Sequence, residues 1–228
     1  MNLMPFIEAL EFFRKKAVLT GPQFEALAAE IGDYVNSLAF TVSQVAAADI
    51  LQDVYDEVLK AIDAGGTFWD FREGIDDIMA RRGWTGLAPY RLDNIFRTNI
   101  QTAYSVGRYK QMMAIAERRP YWQYDAVNDS RTRPSHLAHD GKVYHHLHPF
   151  WDTWLPSNGF RCRCRVNSLS AKEMEEEGLK EEKTGTSLKP DPGFQTNFAK
   201  EPWKPDLKKY HPQLKDELRD LGIEGIYD

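Results

Sequence analysis

The hydrophobic period of the chain changes once, at Arg119-Pro120, and that change constrains the fold more than any other feature. Up to about residue 117, apolar residues recur three and four positions apart, which gathers them on one face of a helix. PFIEALEFFRKK places Phe6, Ile7, Leu10 and Phe13 on such a face. After Gly21-Pro22, a second stripe runs through Phe24, Leu27, Ala28 and Ile31. The clearest stripe lies in SQVAAADILQDVYDEVLKAIDAG. There Ile50, Leu51, Val54, Tyr55, Val58, Leu59 and Ile62 align, and Gly65 is a natural C-terminal stop. Thr67 and Asp70 form a capping-box pattern for a helix that buries Phe68, Phe71, Ile75 and Ile78 and ends at Gly83. Pro89 suits the first turn of one long helix reaching about Ala116. Its buried side is predicted to hold Leu92, Ile95, Phe96, Ala103, Val106 and Met113. Arg97, Gln101, Tyr104 and Arg108 fall on another face, either solvated or docked on the domain behind the helix.

Beyond Pro120, YWQYDAV alternates and is aromatic, as a half-buried strand would be. His139-Asp140-Gly141 reads as a turn, with KVY a short strand after it and CRCRVNS another. Ser170 caps an acidic helix, AKEMEEEGLK. From 181 to about 206 the chain is rich in Lys, Glu, Pro, Gly and Thr, which predicts an extended or loosely ordered arm. A final helix is expected over 207–221. The fold class is therefore α+β. It has a mainly helical region over 1–117 and a small loop-rich α+β module over 118–170, packed on the helix at 89–117. An acidic helix and extended C-terminal arm complete the chain over 171–228.

A chain of 228 residues, 42% hydrophobic, can build the core of one large domain or two small ones. It has no apolar run long enough to cross a bilayer, so no membrane partner is expected. MNLMPFIEALEFFRKK has no basic stretch ahead of a cleavage site and reads as a helix of the mature protein. Two cysteines form no disulfide framework, which suits a reducing cytoplasm. Cys162 and Cys164 are also too close in sequence to face each other well as a bridge. The net charge of −5 argues against a bulk nucleic-acid binder. Residues 118–165, however, hold eight Lys/Arg against four Asp/Glu, a net of +4, so the middle is a basic island in an acidic chain.

That island contains the residues with chemistry. His136, His139, His145, His146 and His148 precede Cys162 and Cys164. A Cys-x-Cys can give two thiolates from one segment, and His136 with either His139 or an Asp could complete a four-donor set for one structural zinc. The flanking arginines favour thiolate. The other reading makes the cysteines small core hydrophobes and the histidines loop residues. In DSRTRPSH, residues Asp129, Arg131, Arg133 and His136 would share one face if the segment were extended. Such a cluster is either an acid/base or phosphate site, or an ion-pair network that pins loops. Phe150, Trp151 and Trp154, with Trp122 and Tyr124, could stack on bases. Filling the core of a small irregular module is the stronger reading. No nucleophile motif surrounds the cysteines, no glycine-rich phosphate loop occurs, and no catalytic residue is assigned.

Three stretches in order, RTNIQTAYSVGRYKQM, YWQYDAVNDSRTRPSHLAHDGKVYHHLHPFW and LPSNGFRCRCRVNSLS, resemble the phage Mu F-like head morphogenesis family of minor head proteins. The pattern is an Arg-Thr helix ending in Gly-Arg-Tyr, an Asp-x-Arg-Thr-Arg-x-x-His segment, a His/Asp-Gly turn, an aromatic patch and a Cys-Arg-Cys close. It covers about residues 91–170. PDPGFQTNF resembles the tail element of Mu-type members, but Gln195-Thr196-Asn197-Phe198-Ala199 stands where they often carry Asp-x-Asn-Pro-Gly. The resemblance implies a virion protein made in the host cytoplasm, acting at the portal or inside the capsid in head assembly and DNA packaging or ejection. Its implied partners are the portal protein and other head proteins. The basic island would add a weak, salt-sensitive contact with double-stranded DNA. Asp129, Arg131, Arg133, Arg97 and Arg108 would be a structural or binding cluster. Two other readings stand beside it. One is a metal-dependent hydrolase or nuclease using Asp129, His136, Cys162 and Cys164. The other is an effector injected with phage DNA.

Overall fold

Period and structure agree before residue 115 except at two positions: Ile7 is exposed while Phe12 is buried, and Met113 is exposed while Met112 is buried. The computed structural model of the chain describes residues 6–43, 45, 47–83 and 88–200. Helix α1 (Ile7–Arg14) leads to β1 (Ala17–Val18), α2 (Gly21–Ile31), a 3-10 turn at Gly32–Tyr34, α3 (Val35–Leu38) and β2 (Ala39–Phe40). β1 and β2 pair in parallel. Then come α4 (Ala48–Ala64), α5 (Phe68–Arg82) and α6 (Pro89–Ala114). The α4 stripe is buried at Leu51, Val54, Tyr55, Val58 and Ile62, with Ile50 and Leu59 packed at its margin. Gly65 ends α4 in the left-handed region at φ 64°, its N–H donating to the Ala61 carbonyl. The predicted capping box opens α5: the Thr67 N–H donates to Asp70 Oδ2 at 2.7 Å, and the Asp70 N–H donates to Thr67 Oγ1 at 3.3 Å. α1, α4, α5 and α6 share one core.

Helix α6 packs closely on α1 at Gly107. A Cβ there would lie 2.8 Å from the Phe6 ring and 3.0 Å from the Ala9 backbone nitrogen, which belongs to a helix and cannot swing aside. Gly107→Ala is therefore expected to destabilise by about 1–3 kcal/mol through overpacking, against alanine's helix preference of about 1 kcal/mol. Gly74→Ala makes the contrast. Its Cβ would press only on the end of the Glu57 side chain, which can move, so urea denaturation should show no loss there.

The module comes next: β3 (Tyr121–Asp125), α7 (Pro134–Leu137), β4 (Val143–His145), a 3-10 turn at Pro149–Asp152, β5 (Arg165–Leu169) and α8 (Ala171–Glu176). The sheet order is β4-β3-β5, antiparallel throughout, with Tyr121 opposite both His145 and Leu169. Alternation along β3 sends Trp122 and Tyr124 inward, both fully buried. They meet Tyr144, Phe150, Trp151, Trp154, Cys162, Cys164 and Val166 in a second core. The Tyr144 and Phe150 rings stack at 4.1 Å. The aromatic group thus fills a core and presents no stacking face to bases.

The polar face of α6 docks on the module. Gln101 Nε2 donates to the Cys164 carbonyl at 2.9 Å, and Arg108 Nε donates to the Val166 carbonyl at 2.7 Å. Tyr104 instead stacks on Phe6, and Arg97 pairs with Asp93 within the helix. One expectation is corrected here. Met112, not Met113, is the buried methionine of α6, because it lies on the side of the helix that joins the module core.

The C-terminal arm is extended over 188–199, the first of the two readings from composition, and is anchored along that length. Phe194 and Phe198 enter the helical core. The Asn197 amide donates to the Trp151 carbonyl at 2.8 Å, and Trp154 Nε1 donates to the Leu188 carbonyl at 3.2 Å. Asn36 Nδ2 donates to the Gly193 carbonyl, and the Gln195 N–H to Asp33. The segment straps the helical region to the module. The expected helix over 207–221 lies outside the described residues.

Candidate functional site

Two short segments converge under β3. Pro134 starts the one-turn helix α7, which turns His136 inward. The second segment, GFRCRCR, enters β5 only at Arg165, so both cysteines sit in the loop before the strand. His136, Cys162 and Cys164 are 2%, 5% and 1% exposed. His136 Nδ1 lies 3.9 Å from Cys162 Sγ and 3.5 Å from Cys164 Sγ, and the three donor atoms all lie within 4.8 Å of one another. Both cysteines are free thiols.

The sulfurs are braced by further donors. The Asn158 backbone N–H points at Cys162. The Val127 backbone N–H and the Tyr124 hydroxyl point at Cys164. Asn158 Nδ2 donates to the Tyr124 oxygen at 2.8 Å, which leaves the phenol proton for the sulfur. A hydrogen bond from Cys164 holds the Cys162 thiol well below the usual range, against the cost of burial, with His136 and the Asn158 amide assisting. The same hydrogen bond between the two side chains, together with burial, pushes Cys164 upward. The arrangement places two sulfurs within hydrogen-bonding reach of each other beside an imidazole. Burial raises Tyr124 strongly, so it remains a neutral donor.

His139 falls outside this trio. It is fully buried, with its ring 4.3 Å from Trp154 and 5.1 Å from Phe150. Burial lowers its pKa to about 4, so the ring is neutral, and neither ring nitrogen has a hydrogen-bond partner among the described residues. The other histidines do local work. His148 Nδ1 accepts the Phe150 N–H, His145 Nδ1 accepts the Leu147 N–H, and His146 Nδ1 lies 3.2 Å from the Pro120 carbonyl.

Asp129, Arg131, Arg133 and His136 do not share one face, because the segment turns and enters α7 and is not extended. Asp129 instead receives a bidentate grip from Arg163, at 2.7 and 2.6 Å, which holds its carboxyl far below the ordinary range. Arg131 adds a contact at 3.3 Å, while Arg133 pairs with Asp191 at 2.9 Å. The cluster is an ion-pair network that pins loops. Arg163 lies between the cysteines, so its side chain leaves on the side opposite the sulfurs and reaches Asp129. The sequence offered it only as one of several flanking arginines. Asn158, whose amide and side chain both support the trio, had no signal at all.

The island's charge is largely used internally. Arg119, Arg131, Arg133, Arg161, Arg163 and Arg165, six of its eight cations, pair with carboxylates. A cleft of about 610 Å³ between the helical region, Phe160 and the strap is lined by no His, Cys, Asp or Glu. No described helix is long and apolar enough to cross a membrane.

The sequence profile of the family described as phage Mu protein F like protein matches residues 52–167, from within α4 to within β5. The chain is 37% identical to capsid assembly protein F of Escherichia phage Mu over 193 residues, which is 77% of this chain and 43% of that protein. It is 40% identical to the Mu-like prophage FluMu F protein of Haemophilus influenzae over 154 residues, 62% of this chain and 37% of that protein. The chain thus spans less than half the length of the curated relatives it matches. No solved structure matches it. The matched span contains both converging segments and the whole trio.

Proposed function

The chain belongs to the phage Mu F-like protein family, and on that premise we propose that it acts in phage head morphogenesis, as a minor head protein at the portal or inside the capsid. One observation carries this reading. The identity to a protein named for capsid assembly runs at 37% over 193 residues, too long to reflect one shared motif. Portal protein and other head proteins are the proposed partners, with packaging or ejection of DNA as the process served. Direct DNA contact is a minor part of this proposal. With six cations of the island paired to carboxylates, few counterions would be released on binding, and the salt dependence would be shallow.

The hydrolase or nuclease reading has less support. An open-site metal hydrolase needs a solvent-reachable coordination position. His136, Cys162 and Cys164 are at most 5% exposed, and Asp129 is held by Arg163. Burial favours a structural use of the cluster. The assembly proposal is tested by fractionating infected or induced cells and probing procapsids and heads for this chain. It should sediment with particles; recovery only from the free soluble fraction would overturn the reading.

A further inference from the structure

We propose that His136 Nδ1, Cys162 Sγ and Cys164 Sγ together hold one divalent ion of the zinc class, which bolts the α7 loop to the segment entering β5. The first ground is distance. Tetrahedral zinc, with bonds of about 2.3 Å to sulfur and 2.0–2.1 Å to nitrogen, sets its N and S donors about 3.5 Å apart. The imidazole nitrogen lies 3.5 and 3.9 Å from the two sulfurs, so little movement is needed to seat an ion.

The second ground is the surrounding shell. Both sulfurs already receive donors, from the Asn158 and Val127 backbone amides and the Tyr124 hydroxyl. Donors aimed at buried sulfur stabilise thiolate, and outer-shell groups of this kind orient metal ligands. The third ground is chemistry. Two sulfurs and one imidazole in a closed apolar pocket form a soft donor set that suits zinc and does not suit magnesium or calcium. The fourth donor comes from outside the trio. His139, three residues beyond His136, is the nearest imidazole along the chain, and both of its ring nitrogens lack partners among the described residues.

The ion would serve the fold. Asp129–Arg163 already ties the same two segments on one side of the Cys-Arg-Cys backbone, and the metal would tie them on the other. Because the ligands must be deprotonated to coordinate, metal binding would displace protons and add to folding stability.

The test uses the full chain, reduced, stripped of metal and then titrated with Zn2+ alone or Co2+ alone. One equivalent should bind per chain, and the Co2+ form should show thiolate-to-metal charge-transfer absorption. Tyr124→Phe keeps the ring in the core but removes the hydroxyl facing Cys164, and should weaken binding by roughly 10–100-fold. Cys162→Ser with Cys164→Ser should abolish stoichiometric uptake. Should the serine variant fail to fold, the cobalt spectrum of the unaltered chain still reports sulfur coordination. The proposal is overturned if the folded, reduced chain takes up well under one equivalent. It is equally overturned if its cobalt form lacks the charge-transfer band, or if a folded serine variant binds as tightly as the parent.

Discussion

Replacing Trp154 with alanine is expected to destabilise the protein by about 3–5 kcal/mol, among the largest effects of any single truncation. Trp154 is 1% exposed and sits within the module core. Its ring lies 4.3 Å from His139 and 5.8 Å from His136, and it meets Tyr124 and Phe150 at 6.1 Å. Its Nε1 also donates to the Leu188 carbonyl at the start of the strap. Alanine would leave a cavity ringed by aromatic side chains that cannot collapse without breaking their edge-to-face contacts. It would also unseat His136, so the trio of His136, Cys162 and Cys164 should lose its geometry together with the fold. Trp69→Ala is the control. Trp69 is 69% exposed, with Arg72 over its ring and the Phe68 ring tilted at 5.8 Å, and should cost about 1 kcal/mol or less. Urea denaturation at constant m-value reads both, and a Trp154→Ala loss below about 1 kcal/mol would show that this core is not packed as described.

These residues also mark how far the sequence could be read. Leu51, Val54, Val58 and Ile62 were legible because burial on a helix repeats at a fixed angle, and Trp122 and Tyr124 because burial on a strand repeats every second residue. Arg163 and Asp129 stand 34 positions apart, and nothing local to either states that they meet. The trio was legible by residue type only. Choosing His136 over His139 depends on which imidazole α7 turns toward the cysteines, and a one-turn helix has too few residues to show a period. Asn158 and Val127 contribute through the backbone, where the side chain carries no message. The anchoring of the strap was not legible because composition averages over a window. Lys, Pro, Gly and Thr dominate 181–206, while anchoring needs only Phe194, Asn197 and Phe198.

Those anchors give the last prediction. Phe194 is held by the helical core and by the Phe160 ring at 5.1 Å, whereas Asn197 is held by the module through the Trp151 carbonyl. Phe194→Ala is expected to cost about 3 kcal/mol, the low end for a buried aromatic, since its ring sits at the edge of the core. Asn197→Ala should cost about 1–3 kcal/mol by leaving a buried carbonyl without its donor. Made together, the two should cost less than their sum. Once either anchor is lost the strap lifts, and the remaining anchor no longer holds it in place to be lost a second time. A double-mutant cycle should therefore give a coupling of about 0.5–3 kcal/mol, although Phe194 and Asn197 belong to different cores. Strict additivity would mean that each anchor stabilises only its own core and that α6, through Gln101 and Arg108, is what joins the two.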